Sequence, residues 1–261
     1  MNNHNIVANK RVFNPLNSIC VVTGGSSGIG FSLIKELKKR KAKKIINIDI
    51  VECNQSEVGF YKCDVGDNDM IKKVLDDIYF KYKEIDLICS NAGIAKDDDG
   101  LATVDHWNKI WATNVLQHTN LVRNSITKMI EKKNGWFLIT ASAAGLLSQV
   151  GSATYSTTKH AAVGFAEWLS ITYGNYNIGV SLLCPQGVNT PMTKGLENGG
   201  VAGINGMLES EEVAKVALDQ MSLGQFLITP HEIVKKYIKI KADNTDKWIL
   251  GMRKLYKKFI K

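Results

Sequence analysis

Short apolar runs alternate along the chain with segments whose apolar residues recur at helical spacing. The runs predict strands at Ser18–Thr23, Lys44–Asp49, Leu87–Ser90, Trp136–Thr140, Gly179–Leu183 and Phe226–Ile228. The helical spacing predicts helices at Ile29–Arg40, Asp69–Tyr82, Val104–Lys132, Tyr155–Tyr173 and Ser210–Leu223. Strands that alternate with helices pair in parallel, and strands without polar alternation are covered on both faces. The pattern therefore predicts an α/β protein with a doubly wound parallel sheet flanked by helices.

Two segments differ from this alternation. The connection from Asp49 to Asp64 leaves little room for a full crossover helix, so we expect a short or distorted helix there. Further along, the apolar residues between Trp248 and Ile260 recur at helical spacing, which predicts an amphipathic helix with lysines on its opposite face.

The length of 261 residues and the hydrophobic content of 44% fit one domain that spans residues 1–261. Within it we expect an N-terminal extension at 1–16, a substrate lid at about 190–210 and a basic amphipathic helical region at 231–261. No apolar run reaches the roughly 18 residues of a membrane-spanning helix, and the first dozen residues lack the apolar stretch of a secretory signal.

Cysteine usage and charge refine this picture. The five cysteines form no Cys-x-x-Cys pair, which favours reduced thiols in a cytoplasmic protein, and the scattered histidines give no reason to expect a metal site. Most of the formal net charge of +8 lies between His231 and Lys261, where ten basic residues face three acidic ones. We interpret that segment as a solvated helix packed on the body or on a second subunit. Attraction of nucleic acid, an anionic membrane or an anionic carrier such as coenzyme A is the alternative.

A glycine-rich segment, Thr23-Gly24-Gly25-Ser26-Ser27-Gly28-Ile29-Gly30, follows the first predicted strand and leads into the first helix. Glycines let the backbone turn tightly and approach a pyrophosphate, which the free N–H groups of the helix N-terminus attract. Its position at the first βα turn makes it a candidate dinucleotide site, with contacts from Gly24, Ser26, Ser27, Gly28, Ile29 and Gly30.

Asp49 ends the second predicted strand, about 20 residues beyond these glycines. A carboxylate there accepts hydrogen bonds from the adenosine ribose and repels a 2′-phosphate, and the following Ile50 and Val51 supply no positive charge. The sequence therefore favours NAD over NADP as the cofactor. The alternative is an ordinary aspartate in a turn at the end of a strand.

Tyr155 and Lys159 are four residues apart and therefore share one face of the predicted helix. Ser142 follows the strand Trp136–Thr140, at the edge where the sites of parallel sheets collect. A phenol has a pKa of about 10, and a nearby ammonium lowers it. Tyr155 is thus a candidate general acid/base, and Ser142 is a candidate partner for a substrate oxygen. Taken alone, a Tyr-x-x-x-Lys pair is more often a surface pair.

Jointly, these motifs resemble the short-chain dehydrogenase/reductase family. That family carries Thr-Gly-x-x-x-Gly-x-Gly, Asn-Ala-Gly, an Asn on a helix, a Ser and Tyr-x-x-x-Lys in this order. The chain matches them over roughly residues 17–230, at Thr23–Gly30, Asn91-Ala92-Gly93, Asn114, Ser142 and Tyr155–Lys159. The resemblance implies a Rossmann-type fold and a homodimer or homotetramer.

The resemblance also implies roles that spacing does not give. Lys159 would bind the nicotinamide ribose, and Asn114 would bend its helix and hold a water that links Lys159 to solvent. Cofactor contacts would also come from Asp64, Val65, Asn91, Ala92, Gly93, Tyr155, Pro185, Gly187, Val188 and Thr190.

The substrate region is expected around the turn at Pro185. Gln186 stands where the family usually has glycine, and we expect it to contact substrate; the alternative is an outward-facing turn residue. The glycine-rich stretch Met192–Leu208 fits a lid that closes on binding or a passive loop. An apolar pocket with a polar rim is expected from Leu146, Leu147, Val150, Met192, Leu196 and, at the rim, Gln149.

Together these features predict an NAD(H)-dependent oxidoreductase that interconverts a secondary alcohol and a ketone. The alternatives are a reductase of 3-oxoacyl thioesters of coenzyme A or a carrier protein, and a non-catalytic dinucleotide-binding sensor. The expected partner is a small-molecule alcohol or ketone rather than nucleic acid or a membrane.

Overall fold

The computed structural model describes residues 7–53, 55–98 and 100–259. The first six residues of the predicted N-terminal extension and the last two of the predicted C-terminal region lie outside the described residues. The strands are β1 (Ile19–Thr23), β2 (Lys44–Asp49), β3 (Gly59–Lys62), β4 (Leu87–Ser90), β5 (Gly135–Thr140), β6 (Ile178–Leu183), β7 (Val188–Asn189), β8 (Leu208–Glu209) and β9 (Leu227–Ile228). The helices are α1 (Gly28–Lys39), α2 (Asn68–Tyr82), α3 (Val104–Trp111), α4 (Gln117–Arg123), α5 (Ile126–Lys132), α6 (Ala144–Leu147), α7 (Ala153–Tyr173), α8 (Ser210–Met221), α9 (Glu232–Asp243) and α10 (Thr245–Phe259).

Within the described residues, seven parallel strands form one sheet in the order β3-β2-β1-β4-β5-β6-β9. The strand order changes direction at β1, which pairs with β2 on one side and with β4 on the other. The prediction of a Rossmann-type doubly wound parallel sheet is confirmed. In such sheets a crevice opens outside the carboxyl ends of the strands, beside the point where the order reverses.

Both faces of the sheet are covered by helices. On one face, side chains such as Ile71 of α2, Leu121 of α4 and Leu169 of α7 pack with those of the strands. On the other face, Leu33 of α1 and Val213 of α8 do the same. This double burial explains why the strands have uninterrupted apolar runs in the sequence.

The helix expected between Asp49 and Asp64 was a wrong prediction. The described residues of this connection contain no helix, and the chain instead forms β3, which pairs in parallel with β2. The connection is too short to build a helix and still return to the sheet. Lys38 and Lys44 donate from Nζ to the carbonyls of Ser56 and Glu57 and hold the loop against α1 and β2.

The single helix predicted over Val104–Lys132 is interrupted twice. A π-helical segment, Ala112–Leu116, separates α3 from α4, and a turn at Asn124 and Ser125 separates α4 from α5. The side chains of Asn124 and Ser125 donate to the carbonyls four residues earlier, at 2.8 and 2.6 Å. Side chains that bond locally in this way compete with the backbone ladder and bend or end a helix.

The basic C-terminal region forms two helices, α9 and α10, and the predicted amphipathic helix corresponds to α10. The first of these, α9, is held on α6, because Lys241 donates from Nζ to the carbonyl of Leu146 at 2.7 Å and Val234 is fully buried. The second, α10, has no buried residue among those described and touches α9 through Trp248, 5.9 Å from the Tyr237 ring. Across the described chain, no helix combines the length and apolar character needed to cross a membrane.

Candidate active site

A cavity of about 790 Å³ lies at the carboxyl edge of the sheet and extends from the glycine turn to the lid region. It brings together most of the residues that the sequence singles out. From the catalytic and cofactor sets its walls include Gly24, Ser27, Gly28, Ile29, Asp49, Asp64, Val65, Asn91, Ala92, Gly93, Ser142, Tyr155, Lys159, Pro185, Val188 and Thr190. From the substrate set they include Gln149, Gln186, Met192 and Leu196.

Four predicted residues lie behind the walls of this cavity: Ser26, Gly30, Gly187 and Asn114. Gly30 lets helix and strand pack closely, since an added Cβ would lie 2.1 Å from the carbonyl oxygen of Gly24. Gly187 faces the lid, where an added Cβ would lie 2.6 Å from the sulfur of Met207. The cofactor contacts of Ser26, Gly30 and Gly187, like those of the lining residues, stay a prediction.

The glycine turn has the shape of a cradle. Gly24 and Gly28 have φ angles of 65° and 52°, which disfavour residues with a side chain. An added Cβ at Gly24 would also lie 2.8 Å from the Cα of Ala92. The turn runs directly into α1, whose first N–H groups have no partner within the helix. These residues fit a dinucleotide pyrophosphate.

Asp49 is held beside the turn. Its Oδ2 accepts from the backbone N–H of Ser26 at 3.0 Å, and its Oδ1 accepts from that of Val51 at 3.1 Å. The hydroxyl of Ser26 donates back to the carbonyl of Val51. Ser26 therefore fixes the carboxylate at the end of the cavity that also contains Asp64.

Asn114 anchors the loop that follows β4. Its Oδ1 accepts from the N–H of Ile94 and its Nδ2 donates to the carbonyl of the same residue, both at 2.9 Å. The Nδ2 also donates to the hydroxyl of Thr158 on α7, at 3.2 Å. Asn114 lies inside the π-helical segment, a wide turn that is frequent at functional sites. The helix thus changes to π-helical geometry at the residue where the resemblance implied a bend.

Lys159 is almost completely buried, with 3% of its surface exposed. Its Nζ donates to the carbonyl of Thr140 at 3.0 Å and lies 5.6 Å from the centre of the Tyr155 ring. Burial lowers the pKa of Lys159 from 10.5 to about 8, because a low-dielectric site disfavours the charged form.

Tyr155 differs from the sequence-based expectation in its pKa. Burial raises the pKa of Tyr155 in the free protein, and the neighbouring side chain of Ser142 opposes the rise. Burial therefore outweighs any lowering by Lys159, whose ammonium donates to the carbonyl of Thr140. The phenol is therefore protonated at neutral pH in the protein without ligand.

The amino end of α7 is fixed by Asp98. This carboxylate accepts from the N–H groups of Ala153 and Thr154, at 2.9 and 3.3 Å, and from the hydroxyls of Ser152 and Thr154. These bonds hold the pKa of Asp98 below its ordinary value, although burial opposes the shift. Tyr155 lies in this first turn of α7, so Asp98 fixes the backbone next to the residue that carries the phenol.

The substrate end of the cavity differs in part from the prediction. Val150, Met192 and Leu196 line it as expected, but Leu146 and Leu147 pack against α9 instead. Phe259 of α10 lines the cavity in their place. Its apolar helix face was recognisable in the sequence, but the surface that this face covers was not.

Three charged residues, Lys96, Asp97 and Lys109, also line the cavity without having been predicted. Lys96 and Asp97 follow Asn91-Ala92-Gly93 in the loop after β4, so their nearness to that motif was the available signal, whereas Lys109 lies on α3.

Comparison with known proteins identifies the family. The family model for short chain dehydrogenase matches residues 18–199. The 3-oxoacyl-[acyl-carrier-protein] reductase FabG of Chlamydia trachomatis is 32% identical over 234 residues, which cover 82% of this chain and 94% of the relative. The chain therefore belongs to the short-chain dehydrogenase family and is an oxidoreductase of that family.

Solved structures agree in fold. A short chain dehydrogenase/reductase from Burkholderia phymatum, in complex with NAD, has a TM-score of 0.80 at 22% identity. The match covers 90% of this chain and 96% of the Burkholderia phymatum chain. A short chain dehydrogenase from Burkholderia cenocepacia, in complex with NADP, has a TM-score of 0.79 at 16% identity. The match covers 95% of this chain and 100% of the Burkholderia cenocepacia chain. One holds NAD and the other NADP, so the shared fold accommodates either dinucleotide.

Replacing Lys159 by methionine should remove a buried charge and change how stability depends on pH. The pKa of Lys159 is about 8 in the folded protein and 10.5 as its reference value, so the unfolded chain binds more protons between these values. The free energy of unfolding of the wild type should therefore rise, relative to Lys159→Met, by up to roughly 3 kcal/mol as the pH goes from 8 to 10.5.

Urea unfolding at several pH values measures this difference, and Lys73→Met, at an exposed position of α2, is the control. A constant difference between Lys159→Met and the wild type across this pH range would contradict the burial of a charged Lys159.

Proposed function

We propose that the protein is an NAD(H)-dependent oxidoreductase that interconverts a secondary alcohol and a ketone. Tyr155 acts as the general acid/base, Ser142 holds the substrate oxygen, and Lys159 binds the nicotinamide ribose and stabilises the phenolate. The observation that carries the proposal is that Ser142, Tyr155 and Lys159 line one cavity together with the glycine turn. A bound nicotinamide supplies the acceptor or donor of hydride.

The chain's own residues account for the proton. During alcohol oxidation Tyr155 takes the hydroxyl proton as hydride leaves the carbon, and during ketone reduction it returns the proton to the oxygen. Its raised pKa in the free protein suits the reductive direction, where the phenol starts protonated. For oxidation the phenolate must be stabilised, and the buried Lys159 supplies the nearest ammonium.

The preference for NAD is supported by charge at the adenosine end. Asp49 lines this end of the cavity, and a 2′-phosphate on the ribose beside it would face its carboxylate. The exposed Ile50 and Val51 beside Asp49 offer no cation to compensate for it. Recognition of a 2′-phosphate commonly needs an arginine or a similar cation near this position.

A 3-oxoacyl thioester reductase is the second candidate. The observation in its favour is the similarity to the chlamydial FabG reductase over most of both chains. Its substrate would enter the apolar end of the cavity, where Met192 and Leu196 are each 46% exposed. The carboxylate of Asp49 speaks against it, since reductases of this kind usually use NADP.

The proposal includes a homodimer or homotetramer in the cytoplasm. Trp168 and Ile171 of α7 are 50% and 80% exposed, and Trp111 and Leu116 on the neighbouring α3 and π-helical segments are 38% and 39% exposed. Large exposed apolar side chains on neighbouring helices are typical of subunit contacts. All five cysteines are free thiols, in keeping with a reducing compartment.

The reaction type is tested with a panel of secondary alcohols and ketones, including 3-oxoacyl thioesters, followed through the absorbance of reduced nicotinamide. Tyr155→Phe should lower kcat by at least about a hundredfold while NADH still binds, because it removes only the transferable proton. Tyr176→Phe, at an exposed position, is the matched control. Turnover that survives Tyr155→Phe would overturn the mechanism, and NADH binding without turnover on any substrate would favour a sensor.

The role of Asp49 is tested by the ratio of kcat/KM with NAD to kcat/KM with NADP. The wild type should prefer NAD, and Asp49→Asn should lower this ratio about tenfold or more by removing the repulsion of a 2′-phosphate. Asp64→Asn, at the same end of the cavity, should affect both cofactors alike. A wild-type preference for NADP would refute the assignment and favour the thioester reductase.

The subunit contact is tested by sedimentation velocity. Ile171→Glu should lower the mass of the assembly, because a carboxylate would be buried at the apolar contact. Phe80→Glu is the matched control, since Phe80 of α2 is similarly exposed, at 75%. A monomeric wild type, or equal behaviour of the two variants, would refute this contact.

A further inference from the structure

His231 lies at the start of α9, outside the walls of the cavity, and contacts the turn that follows β6 with both nitrogens of its ring. The backbone N–H of Gln186 donates to Nδ1 at 3.1 Å, and Nε2 lies 3.1 Å from the carbonyl oxygen of Gly187. One side chain thus bonds two consecutive residues of the turn, one through its N–H and one through its carbonyl.

These two bonds define the protonation of the ring. A backbone N–H can only donate, so Nδ1 carries no proton; a carbonyl can only accept, so Nε2 carries one. His231 is 7% exposed, and burial lowers its pKa, although the bond to Gly187 and the charge of Glu212 oppose this shift. The neutral ring that the two bonds need is therefore the form that the site favours.

The turn that His231 holds has polar connections on its other side as well. The carbonyl of Pro185 accepts from the N–H of Ala143 at 2.8 Å, next to Ser142, and the carbonyl of Gly187 also accepts from the N–H of Leu208 at 3.0 Å. Pro185, Gln186, Val188 and Thr190 line the cavity. The position of this turn therefore determines the position of the cavity wall beside Ser142.

A second connection reaches the side chain of Gln186. Asn205 donates from Nδ2 to Oε1 of Gln186 at 3.4 Å, and the hydroxyl of Tyr237 on α9 donates to Oδ1 of Asn205 at 3.1 Å. The helix α9 thus contacts the backbone of Gln186 through His231 and its side chain through Asn205. This arrangement restrains the side chain of Gln186, a residue that lines the cavity.

We propose that His231 is a positioning residue that holds the turn Pro185–Thr190 in the conformation that binds the nicotinamide half of the cofactor. The inference rests on the proposed function, because it assumes that this turn contacts nicotinamide. His231 touches neither cofactor nor substrate and acts through Gln186 and Gly187. Its loss should weaken ligands that contain nicotinamide and leave unchanged those that end at the second ribose.

The test compares the binding of NADH with that of ADP-ribose, which lacks nicotinamide, by titration calorimetry. His231→Phe keeps a ring of similar shape but removes both hydrogen bonds, so it should weaken NADH about tenfold and leave ADP-ribose within about twofold of the wild type. His231→Asn carries an acceptor near the position of Nδ1 and should recover part of the loss. Thr229→Val is the control, since Thr229 is 6% exposed and its Oγ1 has no partner in the described part of the chain.

Hydrogen exchange at the Gln186 amide gives a direct reading of the bond to Nδ1. Exchange at this amide should become faster in His231→Phe and remain slow in Thr229→Val. Equal weakening of NADH and ADP-ribose, or unchanged binding of both, would overturn the positioning role, and if His231→Phe fails to fold, the same comparison is decided with His231→Asn. A wild type that binds neither ligand would refute the proposed function itself, which separates the two failures.

Discussion

The buried ammonium of Lys159 is the constraint on which the site depends. A charge removed from water must be compensated by nearby polar groups, and here the carbonyl of Thr140 at the end of β5 compensates it. Gly93 and Asn114 lie beside this ammonium: a Cβ added at Gly93 would be in van der Waals contact with Nζ, at 3.4 Å, and with Oδ1 of Asn114, at 3.5 Å. The sheet edge, the loop after β4 and the π-helical segment therefore meet at a single side chain.

Polar contacts on two sides of the cavity hold the elements around Lys159 in place. Asn114 pairs with the backbone of Ile94 and also contacts α7, while Asp98 holds the first turn of α7. On the far side of the cavity, His231 bonds the turn that faces Ser142. The reacting groups are thus positioned by residues that never face the cavity, which is how precise geometry is usually maintained in a binding site.

Local motifs made much of the lining of the cavity predictable. The glycine turn and the pair four residues apart can both be recognised from residues that are close together in the sequence. The structure places Gly24, Gly28, Tyr155 and Lys159 around one cavity. Contacts between distant segments were not predictable. His231 and Gln186 are separated by 45 residues without any shared periodicity. An apolar helix face in the sequence indicates that the face is covered, but it does not indicate which part of the protein covers it. The position of Phe259 at the cavity is an example. In the free protein the pKa of Tyr155 is raised rather than lowered, because burial has the largest effect on it.

Because α10 has no buried residue among those described, the two ends of the cavity differ in how freely they can diverge. At the cofactor end, walls such as Asp49 are fixed by backbone hydrogen bonds, and substitutions there disturb the sheet edge itself. At the other end, Phe259 sits on a helix with no buried residue among those described, so its replacement leaves the core untouched. Substitutions in α10, whether they arise naturally or in a designed library, can therefore change the substrate while the dinucleotide site stays intact. Such separation of variable and invariant parts is one physical basis for evolvability.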